Sequence, residues 1–178
     1  SELPEALAAR GLYSTYIARD AAAGLKDLMR AIALAPNDPD THNAAGLTLR
    51  RLGRFDAALE QFRAAMELAP KEPSFGFRTH ETLVNLGRID EAREVSQALQ
   101  RRFPDLPYTY FHPYGYRCLQ GGDLTGWREE IERWAPQLSP DDLADRRRRF
   151  LICTGHLPGL AALLEQVPAT LESAQNGD

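Results

Sequence analysis

The chain has 178 residues, of which 43% are hydrophobic and 26% charged, and carries a formal net charge of −4. That acidic balance disfavours non-specific binding to nucleic acid, which depends on Lys and Arg neutralising phosphates. No apolar run approaches the roughly 20 residues that a membrane-spanning helix needs, and the polar opening SELPEALAAR lacks the apolar stretch of a secretory signal, so no membrane insertion is expected.

In chain order, Glu5 to Pro36 reads as a first, degenerate pair of helices. Arg19 stands where later pairs have a turn glycine, and Gly11 lies one residue from their small-residue position, which allows a one-residue slip. The segment from Pro39 to Pro70 is the clearest unit. Ala45, Leu49 and Leu52 mark one apolar face, and Ala58, Phe62 and Ala65 mark the next. Pro39 suits a helix start, where its missing N–H is not needed. Gly53 suits the left-handed residue that closes the first helix. The third unit, Pro73 to Pro104, repeats the pattern but places His80 where a small residue is expected, which predicts a wider contact between its two helices.

The fourth unit departs most. Pro113 and Gly115 fall inside its first helix and predict a short, bent or irregular one. Gly121 and Gly122 form its turn, Asp123 is the expected N-cap, and Leu124, Trp127, Ile131 and Trp134 share one helical face. The fifth unit opens on Ser139-Pro140-Asp141-Asp142, a cap followed by proline at the first helical position and an acid three residues after the cap. Gly155 is its turn, Pro158 starts its second helix, and Leu160, Leu163 and Leu164 face inward. The tail from Glu172 is polar and is expected to be disordered.

One spacing runs through all of this. Pro36, Pro70 and Pro104 stand 34 residues apart, as do Gly53, Gly87, Gly121 and Gly155, and LGRFDAA at Leu52 returns as LGRIDEA at Leu86. A fixed period of this size with two helices per unit marks an all-α solenoid. The expected units lie near residues 5–38, 39–72, 73–106, 107–138 and 139–171, forming a single domain with a tail at 172–178. Neighbouring units bury apolar surface between them, so this number suffices for a continuous core.

The pattern resembles the tetratricopeptide repeat, with a small residue at Gly46, Ala at Ala58 and Ala65, an aromatic at Phe62 and proline at Pro70. The resemblance implies a right-handed superhelix whose first helices line a concave groove, and a role in protein–protein interaction. The strict period argues against the related pentatricopeptide units, which read RNA and run one residue longer. Two other readings stay open: a recruiting or regulatory domain of a longer enzyme or assembly, and a self-associating scaffold whose end surfaces stack.

The resemblance also places groove residues. At intervals of 34, the sixth position of each unit holds Arg10, Ala44, Arg78, His112 and Arg146, and Arg50 adds a cation on the same side. Tyr13, Tyr16, Phe77, Tyr108 and Phe111 interleave with them. Some of the aromatics among Tyr108, Tyr110, Phe111, Tyr114 and Tyr116 must be core, but they cannot all be buried, because five in nine residues cover every side of a helix. Arginine pairs with carboxylates and stacks on rings, so the groove suits a peptide with acidic residues beside apolar or aromatic anchors. The alternative is that these arginines pair locally with Glu81, Asp142 and Asp145. A chaperone-tail clamp is incompletely matched: framed one unit into the chain it would use Asn43, Leu47, Arg78, Tyr108 and His112. The run Arg146 to Arg149 reads first as a solubilising end face and second as an anion site.

No catalytic set, metal-ligand spacing or phosphate loop is found, so neither enzymatic activity nor a cofactor or metal is expected. Cys118 and Cys153 are too few for a disulfide framework and read as buried structural thiols in a reducing, cytoplasmic setting.

Overall fold

In a computed structural model, residues 3–107, Cys118 and residues 124–156 are described. The described residues form helices without strands. They fall into two compact units, Ser1–Pro104 and Asp105–Asp178. The expected turn at Gly121 and Gly122, the irregular helix around Pro113 and Gly115, the second helix from Pro158 and the tail from Glu172 lie outside the described residues.

The first unit contains three helix pairs. They are α1 (Pro4–Tyr16) with α2 (Ala21–Leu34), α3 (Pro39–Arg51) with α4 (Phe55–Leu68), and α5 (Pro73–Asn85) with α6 (Ile89–Arg102). Each first helix has proline in its opening turn, where no N–H is required. Asp38 and Glu72 cap α3 and α5, their carboxylates accepting from the backbone N–H of Asp40 and Ser74. Each helix packs on its partner, and the second helix of a pair packs on the first helix of the next, α2 on α3 and α4 on α5, as a solenoid requires.

The core follows the apolar faces. Leu28, Ala44 and Ala45 form one cluster; Leu49, Ala58 and Phe62 a second; Leu59, Leu83 and Ala92 a third. His42 is buried against α4, with Nδ1 2.8 Å from Gln61 Oε1 and Nε2 3.0 Å from the Pro36 carbonyl. In the third pair, buried His80 and Ser96 occupy the positions held one period earlier by Gly46 and Phe62. α5 and α6 touch less extensively than α3 and α4.

The repeat turns share one geometry. Gly53 and Gly87 have φ of +72° and +71°, and the N–H after each reaches back five residues, from Arg54 to the Leu49 carbonyl and from Arg88 to the Leu83 carbonyl. The first pair departs from this. Its connection runs from Ile17 to Asp20 and is one residue longer than those at 52–54 and 86–88. Arg19 takes the left-handed conformation there, with φ +57°. The slip is real: Pro4 precedes Pro39 by 35 residues, whereas Pro39 precedes Pro73 by 34. Arg10 is therefore level with Ala45, not with Ala44 and Arg78.

The second unit is described through α7 (Trp127–Trp134), a short 3-10 turn at Ala135–Gln137 and α8 (Pro140–Cys153). Its cap falls on Gly126, with φ +83°, and not on the expected Asp123. Trp127, Ile131 and Trp134 are buried on one face, as their spacing predicts, and Trp127 meets Phe150 edge-on at 5.7 Å between ring centroids. Ser139 caps α8 by accepting from the Asp142 N–H at 3.1 Å. Gly155 closes that helix with φ +67°.

The cysteines overturn their expected state. Cys118 and Cys153 are bonded to each other, with Cα atoms 5.4 Å apart, beside the Trp127 cluster. That Cα separation is within ordinary disulfide reach. A bonded pair removes the thiol argument for a reducing, cytoplasmic setting. Among the described residues no helix is long and apolar enough to cross a membrane.

Candidate functional site

The first helices of the three pairs carry a cleft of about 410 Å³. Tyr16 contributes from α1; Leu47, Arg50 and Arg51 from α3; Phe55 from the start of α4; and Arg78, Glu81 and Asn85 from α5. The helix starts explain this grouping. Counted from their prolines, Tyr16, Arg51 and Asn85 stand at one helical position, and Leu47 and Glu81 at another.

The cleft is held by contacts between helices. Arg51 lies over the Tyr16 ring with its guanidinium carbon 4.4 Å from the centroid, linking α3 to α1. Arg50 donates through Nη1 to Glu81 Oε2 at 2.6 Å, linking α3 to α5. Arg78 is half-buried, and its side chain makes no hydrogen bond or ion pair among the described residues. Three arginines against one glutamate leave the cleft with two excess positive charges in a chain whose net charge is −4.

Of the groove residues read from the sequence, Tyr16, Arg50 and Arg78 come together here. Arg10 points elsewhere, donating through Nε and Nη2 to Asp27 of α2 at 2.6 and 2.7 Å. Those bonds hold the Asp27 carboxyl below its usual range. Tyr13 is 60% exposed and, like half-buried Phe77, does not line the cleft. Asn43 is half-buried, with its Oδ1 enclosed and without a hydrogen-bond partner among the described residues. Tyr108, Phe111 and His112 lie outside the described residues, and Arg146 is half-buried on α8 of the second unit. Arg51, Phe55 and Asn85 were missed. Aligning the helices by their opening prolines, not by a constant 34, would have put Arg51 and Asn85 level with Tyr16.

The arginine run of α8 is largely neutralised locally. Arg147 donates to both carboxylate oxygens of Glu132, at 3.1 and 2.9 Å, while Arg148 and Arg149 share Asp145. Burial raises the Asp145 carboxyl, but the bonds from Arg149 and Arg148 outweigh it and leave it lowered. Among the described residues no group of three or more His, Cys, Asp or Glu side chains could hold a metal ion.

The helix pairs and their turns define a tetratricopeptide-type solenoid. The tetratricopeptide repeat family model matches residues 39–72, the unit that carries Gly46 and Phe62. Solved structures share the fold. The thermophilic tetratricopeptide protein TTC0263 of Thermus thermophilus aligns with a TM-score of 0.69 at 18% identity, covering 95% of this chain and 94% of its own. A MamA fragment from Desulfovibrio magneticus RS-1 aligns with a TM-score of 0.66 at 16% identity, covering 100% of this chain and 98% of its own. An O-GlcNAc transferase mutant of Thermobaculum terrenum aligns with a TM-score of 0.56 at 20% identity, over 84% of this chain but 27% of that one. No curated protein sequence matches the chain.

Proposed function

We propose that the chain is a protein-interaction module that acts by binding, not by catalysis. Its first unit takes an acidic segment of a partner protein in the cleft of α1, α3 and α5. The observation that carries this reading is Arg78, a half-buried cation without a side-chain partner among the described residues, in a positively charged cleft. A partner Asp or Glu would supply the missing acceptor, and a charge-assisted hydrogen bond of this kind is stronger than a neutral one. Asn85 adds an amide donor beside it. Tyr16, Leu47 and Phe55 offer apolar and aromatic surface to a neighbouring side chain of the segment.

A peptide-display selection against the intact chain tests the reading. Selected peptides should be rich in Asp or Glu next to Leu, Phe or Tyr. Selection of peptides without an acidic bias would overturn it.

A further inference from the structure

The cleft of α1, α3 and α5 holds more positive charge than one carboxylate can match. Arg50, Arg51 and Arg78 line it against the single carboxylate of Glu81, an excess of two charges. Arg50 gives Nη1 to Glu81 Oε2, which leaves the other N–H groups of its fork unspent among the described residues. Arg51 turns the face of its guanidinium to the Tyr16 ring, 4.4 Å from the centroid. Stacking uses that face, so the N–H groups in its plane remain for an acceptor. Arg78 makes no side-chain hydrogen bond or ion pair among the described residues.

Charge and donor number together select the anion. A ligand Asp or Glu brings one charge and two oxygens. It fills the fork of one arginine and leaves one charge unmatched. A phosphorylated serine or threonine brings a charge of about −1.5 to −2 at neutral pH and three acceptor oxygens. It balances the whole excess and draws N–H groups from more than one arginine. The cleft, at about 410 Å³, is within the ordinary size of a ligand site.

We propose that the acidic residue taken by the cleft is a phosphorylated serine or threonine, so that phosphorylation of the partner segment switches binding on. This rests on the reading of the cleft as a site for an acidic segment, and narrows it. Arg78 supplies the unspent cation, and Arg50 and Arg51 supply the remaining donors. Glu81 opposes the phosphate and limits its affinity. Removing that repulsion should favour a dianion more than a monoanion, because the Coulomb energy scales with the charge of the ligand.

Three degenerate peptide libraries test it, alike except for a fixed central phosphoserine, Glu or Ser, each offered to the full chain. The phosphoserine library should be retained over the Glu library by more than about tenfold, and the Glu library over the Ser library. Equal or better retention of Glu overturns the proposal and leaves the acidic-segment reading standing. Retention of neither above Ser defeats both. For individual peptides from the retained pools, affinity for the phosphoserine form should fall on going from about pH 7.5 to about pH 5, as the phosphate takes up its second proton near pH 6. The Glu form should hold its affinity over that range. The described residues that line the cleft include no histidine. A flat profile for the phosphoserine form contradicts recognition of a dianion. Arg51→Gln, with circular dichroism unchanged, should weaken the phosphoserine peptide by more than about fivefold and leave the Glu peptide nearly unaffected, and Glu81→Gln should strengthen the phosphoserine peptide more than the Glu peptide. Equal effects on both peptides in either variant overturn the proposal. Inorganic phosphate at the concentration of the peptide should not displace it, and displacement would reduce the cleft to a simple anion site and overturn the proposal as well.

Discussion

Gly46 and Phe62 meet across the α3–α4 pair so closely that a Cβ on Gly46 would lie 2.6 Å from Phe62 Cε1. The ring itself is fully buried. This contact lets the two helices approach in the unit that the family model matches. Gly46→Ala should destabilise the chain by about 1–3 kcal/mol through overpacking. Phe62→Ala should cost about 3–5 kcal/mol through the cavity it leaves. Urea unfolding checks both. A loss below about 1 kcal/mol for Phe62→Ala would mean that the pair is not packed as described.

One period later the same two positions hold His80 and Ser96, and the fit is poorer. Ser96 is 1% exposed, and its hydroxyl has no hydrogen-bond partner among the described residues. A buried hydroxyl without a partner carries an unrecovered desolvation cost, so Ser96→Ala should stabilise the chain by about 1 kcal/mol. A lower urea midpoint for this variant would show that the hydroxyl has a role in the native packing.

Arg19 and Gly53 make a reciprocal test of the turns. Arg19 holds φ +57° without being glycine. The left-handed conformation costs an L-residue about 1–2 kcal/mol, partly offset on replacement by the greater freedom of glycine in the unfolded chain. Arg19→Gly should therefore raise the unfolding midpoint. At Gly53 a new Cβ would meet nothing within 4 Å, so Gly53→Ala should destabilise through the backbone alone, by about 1 kcal/mol. Equal and opposite outcomes at the two sites would identify conformation, not contact, as the cause.

The fold was legible because its signals are local and repeated. Prolines at helix starts, glycines at turns and the Gly46–Phe62 pairing all sit in one register. The cleft was only half legible. Arg50 and Arg78 carry the right spacing, but the extra residue between Tyr16 and Ala21 shifts α1 and moved Arg10 out of the set. The Cys118–Cys153 bond was missed for a different reason. Two cysteines carry little information by number alone, and their meeting depends on how the helices of the second unit face each other.

Acid should weaken the chain through three paired carboxylates. Bonds from Arg10 lower Asp27, bonds from Arg88 and then Arg63 lower Glu91, and the bonds of Asp145 outweigh its burial. Each folded value lies below the usual 3.8 for Asp or 4.5 for Glu. Their contribution is thus complete above those unfolded values and is lost as pH falls through the lower folded ones. Melting temperatures should drop on acidification below about pH 4, and Arg10→Gln with Arg88→Gln should flatten that drop. An acid limb unchanged in the double variant would assign it to other carboxylates.

The central claim is that Arg78 gives the cleft its preference for acidic ligands. The most direct measurement is the affinity of an acidic peptide, selected on the intact chain, for the native protein and for Arg78→Glu at low and high salt. Charge reversal should weaken binding by more than about tenfold, and added salt should slow association to the native protein. Unchanged affinity in Arg78→Glu, together with salt-independent association, would contradict the account.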